Sequence, residues 1–443
     1  MSLIKSFNYI CSRHICEYPQ KYRVMEIKRD ALVSRLLEHR HNGMIKVITG
    51  MRRSGKSYLL FNLFTEALRS EGIDDTHIIK VNLEDRRNKE LRNPDILLQF
   101  IDNQLKDKKM HYILLDEVQL VREFEDVLNS YLHISNADVY VTGSNAKFLS
   151  KDIITEFRGR GDEIHIGPLS FRELLLAKPD FPKEDLLRDY MTYGGLPQIV
   201  TMSSNSEREA YLKGLFVNTY LRDIKERHAI KLDEALSELI DFLASGIGGF
   251  TNSRKLMNTF LSVKKRSITQ DTIITWLDWL QDAFFIEKAV RYDIKGRKYI
   301  GTPSKYYFGD TGLRNARLNF RQTEWTHLME NVIYNELRGR GFSVDVGQVG
   351  INTLDVNGKK LRKNLEVDFV CNQGYKRYYI QSAYSIPDKE KMNQETESLR
   401  KIGDSFKKIV VVNDRTFTYQ NDDGILIMNI LDFLSDENSL AKE

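Results

Sequence analysis

The chain has 443 residues, more than one hydrophobic core usually supports, so two or three domains are expected. Its 41% hydrophobic and 29% charged residues, with only 8 prolines, exclude a disordered or collagen-like chain. The 66 basic residues against 62 acidic ones leave a net charge of +4, too small an excess to name a partner, so any nucleic-acid argument must rest on local patches.

Residues 1–24 show no sustained pattern and are read as an N-terminal extension without assigned function. Lys5, Arg13 and His14 interrupt any signal-peptide core. No run approaches the roughly 20 apolar residues of a membrane helix, so a cytoplasmic protein without membrane contact is expected. Cys11, Cys16 and Cys371 form no CxxC pair, which fits a reducing compartment. Cys11, His14 and Cys16 lie close together but lack the second ligand cluster of a zinc site.

A helical periodicity begins near Met25 and carries 27–41. Met44–Thr49 (MIKVIT) then reads as a buried strand, followed by GMRRSGKS and the apolar-periodic helix YLLFNLFTEAL. Strand, glycine loop and helix in that order make a phosphate nest: Gly50 and Gly55 let the backbone fold so that its N–H groups and the helix N-terminus face phosphate oxygens. Lys56 would reach the β and γ phosphates of ATP, and Ser57 would place its hydroxyl on Mg²⁺; Arg53, Ser54 and Tyr58 complete the expected nucleotide-binding set. Arg52 and Arg53 could meet phosphate or a bound partner. By chance this pattern arises in roughly 1–2% of chains this long, and few of those matches fall between a strand and a helix.

HYILLDEVQ is an apolar strand ending in Asp116 and Glu117, far enough downstream to allow one intervening βα unit. Asp116 would hold Mg²⁺ through water, and Glu117 would orient and deprotonate the attacking water. Alone, such a pair is more often an ordinary strand end; beside the glycine loop it reads as the second half of a nucleotide site. The next apolar strand, ADVYVTGS, ends in Ser144 and Asn145, either a sensor of the γ-phosphate or a polar helix cap. Arg158 and Arg160, on either side of a glycine, are arginine-finger candidates, in which case a homo-oligomer would supply one in trans, or they are ordinary solvated arginines.

GMRRSGKS, YILLDEVQ, VTGSN and FRGRGDEIHIGPLSFREL together resemble the AAA+ P-loop ATPases of bacteria and archaea, in particular those carrying a C-terminal domain of unknown function. The resemblance runs over nearly the whole chain from about Met25. It implies an α/β fold in three parts: an AAA+ parallel sheet over 25–176, then helical and winged-helix-like segments over 177–230 and 231–310. A small, degenerate restriction-endonuclease-like domain over 311–443 would follow.

The residues bear on each part. A Gly194-Gly195-Leu196-Pro197 break interrupts the helical pattern of 180–230 and resembles a hallmark of that family. Helical patterns at 232–245, 253–261 and 269–282, the last facing the core with Ile273, Ile274, Leu277 and Leu280, precede the strands FFIEKAVRY and KYYFGD. Lys264, Lys265 and Arg266 before the last helix, and Lys295, Arg297 and Lys298 at the turn between the strands, could meet the phosphates of double-stranded DNA; alternatively the module packs on a protein.

In the C-terminal part, similarity to PD-(D/E)xK nucleases implies that Asp368 and Glu330 or Glu336 would be metal ligands. Gln381-Ser382-Ala383 replaces the expected Glu-x-Lys, which should abolish cleavage unless Lys389 or Lys391 supplies the amine. The leading expectation is an ATPase whose hydrolysis drives a conformational change in a C-terminal recognition region, with DNA as its partner. An ATP-dependent nuclease with a rearranged Asp368 site, or an ATP-binding protein-interaction switch, is the alternative.

Overall fold

The computed structural model describes residues 27–143, 159–217, 224, 233–321, 323–354 and 360–442. Strands β1 (Ile45–Thr49), β2 (Ile78–Asn82), β3 (His111–Asp116), β4 (Ala137–Thr142) and β5 (Gly161–His165) form a parallel sheet of order β2-β3-β4-β1-β5. Every residue of β1 and of β3 is buried, as expected of strands covered on both faces, whose sequence reads as a continuous apolar run. Val47, Ile79, Ile113 and Val141 pack with the helices Pro94–Asp102 and Phe124–Tyr131 on one face. Ile48, Leu60, Phe64 and Tyr140 pack on the other, beneath the segments Lys56–Tyr58, Leu59–Phe64 and Thr65–Ser70, which follow one another as a single helix with a π turn at its centre. The carboxyl ends of β1, β3 and β4 therefore lie side by side, which is where parallel α/β sheets place their ligands.

A second, mixed sheet has eight strands in the order β12-β13-β11-β10-β9-β8-β6-β7. Its hairpin β6 (Ile286–Asp293) and β7 (Lys298–Phe308) is the pair expected to form the wing of a separate module. Instead β6 pairs in parallel with β8 (Ser343–Leu354), Arg291 opposite Val346, so the expected boundary at 310/311 runs through one continuous sheet. β9 (Lys360–Gln373), β10 (Lys376–Ala383), β11 (Lys407–Val412), β12 (Tyr419–Gln420) and β13 (Leu426–Asn429) complete it.

Between the sheets the helix Gln270–Asp282 buries Ile273, Trp276, Leu277 and Leu280 and leaves Ile274 41% exposed. Trp276 thus takes the core place expected of Ile274, because only positions 273, 276, 277 and 280 fall on one helical stripe. The helix Phe171–Ala177, expected to close the first domain, contributes Phe171 and Leu174 to the core that holds Tyr307, Val332 and Phe369 of the C-terminal body. Among the described residues no helix is long and apolar enough to cross a membrane.

Candidate nucleotide-binding site

The loop after β1 takes its shape from two glycines. Gly50 has φ +139°, and a Cβ there would stand 2.0 Å from the Ile166 carbonyl oxygen, so no larger residue fits. Gly55 has φ +95° and precedes the helix that opens at Lys56. Arg29 braces the loop from outside: its guanidinium donates to the carbonyls of Ser54 at 3.0 Å and of Gly167 and Pro168 at 3.2 Å, and pairs with Glu173 at 2.8 Å. Glu173 in turn closes a capping box with Ser170.

Inside the loop, the buried Lys56 donates from Nζ to the carbonyls of Gly50 (2.9 Å) and Met51 (3.0 Å). Burial pushes its pKa down to about 8, against the opposing pull of Glu117 and Asp116. Ser57 Oγ donates to Asp116 Oδ1 at 2.9 Å, and Thr142 Oγ1, at the end of β4, donates to the same oxygen at 2.5 Å. The Glu117 N–H donates to Thr142 Oγ1 at 3.0 Å, and its carboxylate accepts from Gln119. Glu117 adopts φ +55°, an uncommon left-handed conformation for a residue with a side chain, of the kind that concentrates at functional sites. Burial raises the Asp116 carboxyl above the usual range, and the two hydroxyl bonds oppose the shift.

These residues fit a triphosphate with a divalent ion. The loop leaves no room for a side chain at Gly50, and Ser54 Oγ is fully buried without a hydrogen-bond partner among the described residues. Among the described residues, the hydrogen bonds of Lys56 go to backbone carbonyls it could exchange for phosphate oxygens, and a hydroxyl and a carboxylate of the kind that gather around Mg²⁺ already touch each other.

Of the remaining expected site residues, Arg53 lies in the loop with φ +65°, Tyr58 is half-exposed on the helix, and Arg52 pairs with Glu84 at 3.3 Å. The Arg160 carbonyl accepts from the Ile45 N–H, which places Arg160 at the amino end of β1 and β5, the edge of the sheet away from the loop. It cannot serve the nucleotide site of its own chain. Ser144, Asn145 and Arg158 lie outside the described residues. Sequence reasoning missed Thr142, though it ends β4 as Asp116 ends β3, and it missed Arg29, whose partners 25 and 144 residues away leave no local signal.

The Gly194–Pro197 break adjoins this site. The Gly195 N–H donates to Asp310 Oδ2 at 2.8 Å, a Cβ on Gly194 would stand 2.2 Å from Asp310 Oδ1, and one on Gly55 would stand 3.6 Å from Pro197 Cγ. Burial pushes the Asp310 pKa up to about 6, against hydrogen bonds from the Gly195, Leu313 and Gly312 N–H groups. Met51 of the loop, 2% exposed, belongs to the core shared by Leu196, Phe285, Phe308 and Leu313.

In the C-terminal body Glu330 is buried with Lys305 of β7, whose Nζ lies 2.7 Å from Glu330 and 2.6 Å from Glu366. Tyr307 donates to Glu330 at 2.6 Å, and Asp368 accepts from the Ser382 N–H at 2.7 Å. Burial alone would depress the Lys305 pKa, but Glu330, Asp368 and Glu366 hold it above its ordinary value. The amine beside these carboxylates is therefore Lys305, not the expected Lys389 or Lys391; Lys391 pairs with Glu395, and Glu336 with Arg340.

A model of an AAA domain family matches residues 42–175, and a model described as Domain of unknown function (DUF8612) matches 184–324. An uncharacterized protein of Haemophilus influenzae is 33% identical over 413 residues, covering 92% of this chain and 98% of that protein. The chain belongs to the AAA+ P-loop ATPase family. An uncharacterized protein of Methanocaldococcus jannaschii is 29% identical to this AAA+ protein over 393 residues, covering 86% of this chain and 83% of its own. A Walker-type ATPase of Pyrococcus abyssi is a solved structure with 16% identity and a TM-score of 0.48, covering 68% of this chain and 99% of its own.

Proposed function

We propose that this AAA+ chain binds Mg-ATP at Gly50–Ser57, hydrolyses it, and transmits the result to its C-terminal body. The observation that carries the reading is the convergence of Ser57 and Thr142 on one oxygen of Asp116, beside the buried Lys56. Lys56 and the loop N–H groups would hold the phosphates, Ser57 and Asp116 would hold the ion, and Glu117 would orient and deprotonate the attacking water. When bound, Mg²⁺ would neutralise charge developing on the transferred phosphoryl group. Purified protein should hydrolyse ATP only with Mg²⁺. Lys56→Ala should lose nucleotide binding, while Glu117→Gln should bind but not turn over.

Double-stranded DNA is the partner we propose for the C-terminal region, contacted by the turn at Lys295, Arg297 and Lys298 rather than by Lys264 and Arg266. Lys264 pairs with Glu238 at 3.2 Å, and Arg266 with Glu234 at 3.0 Å, so that run is largely neutralised by its own neighbours. The turn residues are exposed, and Lys295 Nζ binds the Gly350 carbonyl at 3.1 Å. The exposed Arg362 guanidinium comes within 3.2 Å of where a Gly350 Cβ would stand, so two cations crowd one stretch of backbone. Lys295→Glu with Arg362→Glu should weaken DNA binding and flatten its salt dependence by about one to two charges, whereas Lys264→Glu should do little. Equal effects from both changes would contradict this assignment and favour a protein partner.

We propose no cleavage by the C-terminal body: Lys305 supplies an amine beside Glu330 and Asp368, but its ammonium pairs with both Glu330 and Glu366, so this acidic group already has its counter-ion.

A further inference from the structure

We infer that His77, Asp107 and His111 form a binding site for a borderline divalent transition-metal ion of the zinc class. The site lies on the edge of the first sheet opposite the nucleotide loop. His77 leads into β2 and His111 opens β3. Because those strands pair in parallel with Ile78 opposite Tyr112, the two histidines occupy the preceding matched positions and project to the same face. Their ring centroids are 4.8 Å apart. One ligand atom from each of the two histidines and from Asp107 lies within 4.8 Å of the others.

The hydrogen bonds around the rings assign their lone pairs. His111 Nδ1 stands 2.7 Å from the Lys109 carbonyl, which can only accept, so Nδ1 carries the proton and Nε2 the lone pair. The Thr76 hydroxyl donates to Asp74 at 2.6 Å and therefore accepts from His77 Nδ1 at 3.3 Å. That leaves the His77 Nε2 lone pair 3.1 Å from Asp107 Oδ2, two acceptors facing each other that a cation must reconcile. A proton would serve this pair alone, whereas a metal ion also uses the second imidazole.

Each ligand has the outer support that metal sites show: a carbonyl for His111, a hydroxyl for His77, and the Lys109 N–H at 2.8 Å for Asp107 Oδ1. Asn136 fixes the turn further through the Asp107 carbonyl at 2.8 Å. Two neutral imidazoles and one carboxylate, with the 46%-exposed Asp107 leaving a fourth position to water, suit zinc far better than magnesium. The site is about 17 Å of strand away from Asp116 and separate from the nucleotide's ion.

The test uses the full chain carrying Cys11→Ser and Cys16→Ser, so that those thiols cannot bind metal, stripped with chelator and free of nucleotide. Zn²⁺ is titrated against a chromophoric chelator, and Co²⁺ is followed by its visible bands. One saturable equivalent is expected, retained in Asp116→Asn, weakened roughly tenfold or more in His77→Ala and in Asp107→Asn, and accompanied by a rise in Tm that those two variants lose. No saturable equivalent, or an affinity unchanged in His77→Ala and Asp107→Asn, would overturn the assignment. Asp107 is exposed whereas His77 is largely buried, so circular dichroism of the apo variants checks that both fold, and Asp107→Asn carries the test if His77→Ala does not.

Discussion

Lys56 illustrates how burial sets chemistry at a single residue. Its ammonium rests on two carbonyls in a buried loop, and its pKa falls to about 8 from an ordinary 10.5. Between those values the unfolded chain binds the extra proton, so this group adds stability as pH rises from about 8. Phosphate binding has the opposite dependence because it needs the charged amine. ATP affinity should therefore be level below about pH 8 and fall above it by up to about tenfold per pH unit, a decline that Lys56→Arg should not show in calorimetric titrations. Thr142 gives a second prediction. Thr142→Val removes the donor to Asp116 and the acceptor for the Glu117 N–H, so turnover should drop roughly tenfold or more while ATP binding is largely kept. Arg29→Ala, which strands Glu173 and frees the Ser54 carbonyl, should cost about 3 kcal/mol in urea denaturation. Lys56, Ser57, Asp116 and Glu117 were legible because their spacing is local to a strand end. Thr142 was hidden beside the more conspicuous Ser144, and Arg29 and Lys305 act across distances that no sequence pattern encodes.

At the scale of elements, the Gly194–Pro197 turn and the helix Thr311–Arg317 are joined through Asp310, whose carboxylate receives the Gly195 and Leu313 N–H groups. Its folded pKa of about 6 stands above the ordinary 3.8, so the protonated form is the one the fold favours. The stability this group contributes is complete below about pH 4 and lost as pH rises through 6, on the order of 3 kcal/mol. Thermal unfolding of Asp310→Asn should lack this component and vary less between pH 4 and 6 than the parent. The buried strands β1, β3 and β4 were readable as continuous apolar runs, whereas the order that puts β1 between β4 and β5 is set by tertiary packing and was not. Of the hairpin of β8 and β9, the stretches FSVDVG and NLEVDFVC read as strands, but their extension did not, because its outer pairs, Ile351 with Lys363 and Asn352 with Arg362, are too polar to announce a strand. The pairing of β6 with β8 was equally hidden, since two strands after three helices satisfy a wing and a sheet alike until tertiary contacts choose between them.

At the scale of the whole molecule, Met51 is a direct packing link between the nucleotide loop and the core that leads into the C-terminal body. It extends from the loop that would hold phosphate into the core containing Phe285, Phe308 and Leu313. A loop that shifts on binding nucleotide must move this side chain, and a close-packed core responds to such a shift as a unit rather than by local yielding. Hydrogen exchange around 284–285 and 309–313 should slow when ATP is added, and Met51→Ala should abolish that response while ATP still binds. The most direct test of the account is Mg²⁺-dependent ATP hydrolysis by the purified chain beside Lys56→Ala and Glu117→Gln. The account predicts turnover in the parent, binding without turnover in Glu117→Gln, and neither in Lys56→Ala. Turnover undiminished in both variants would contradict it.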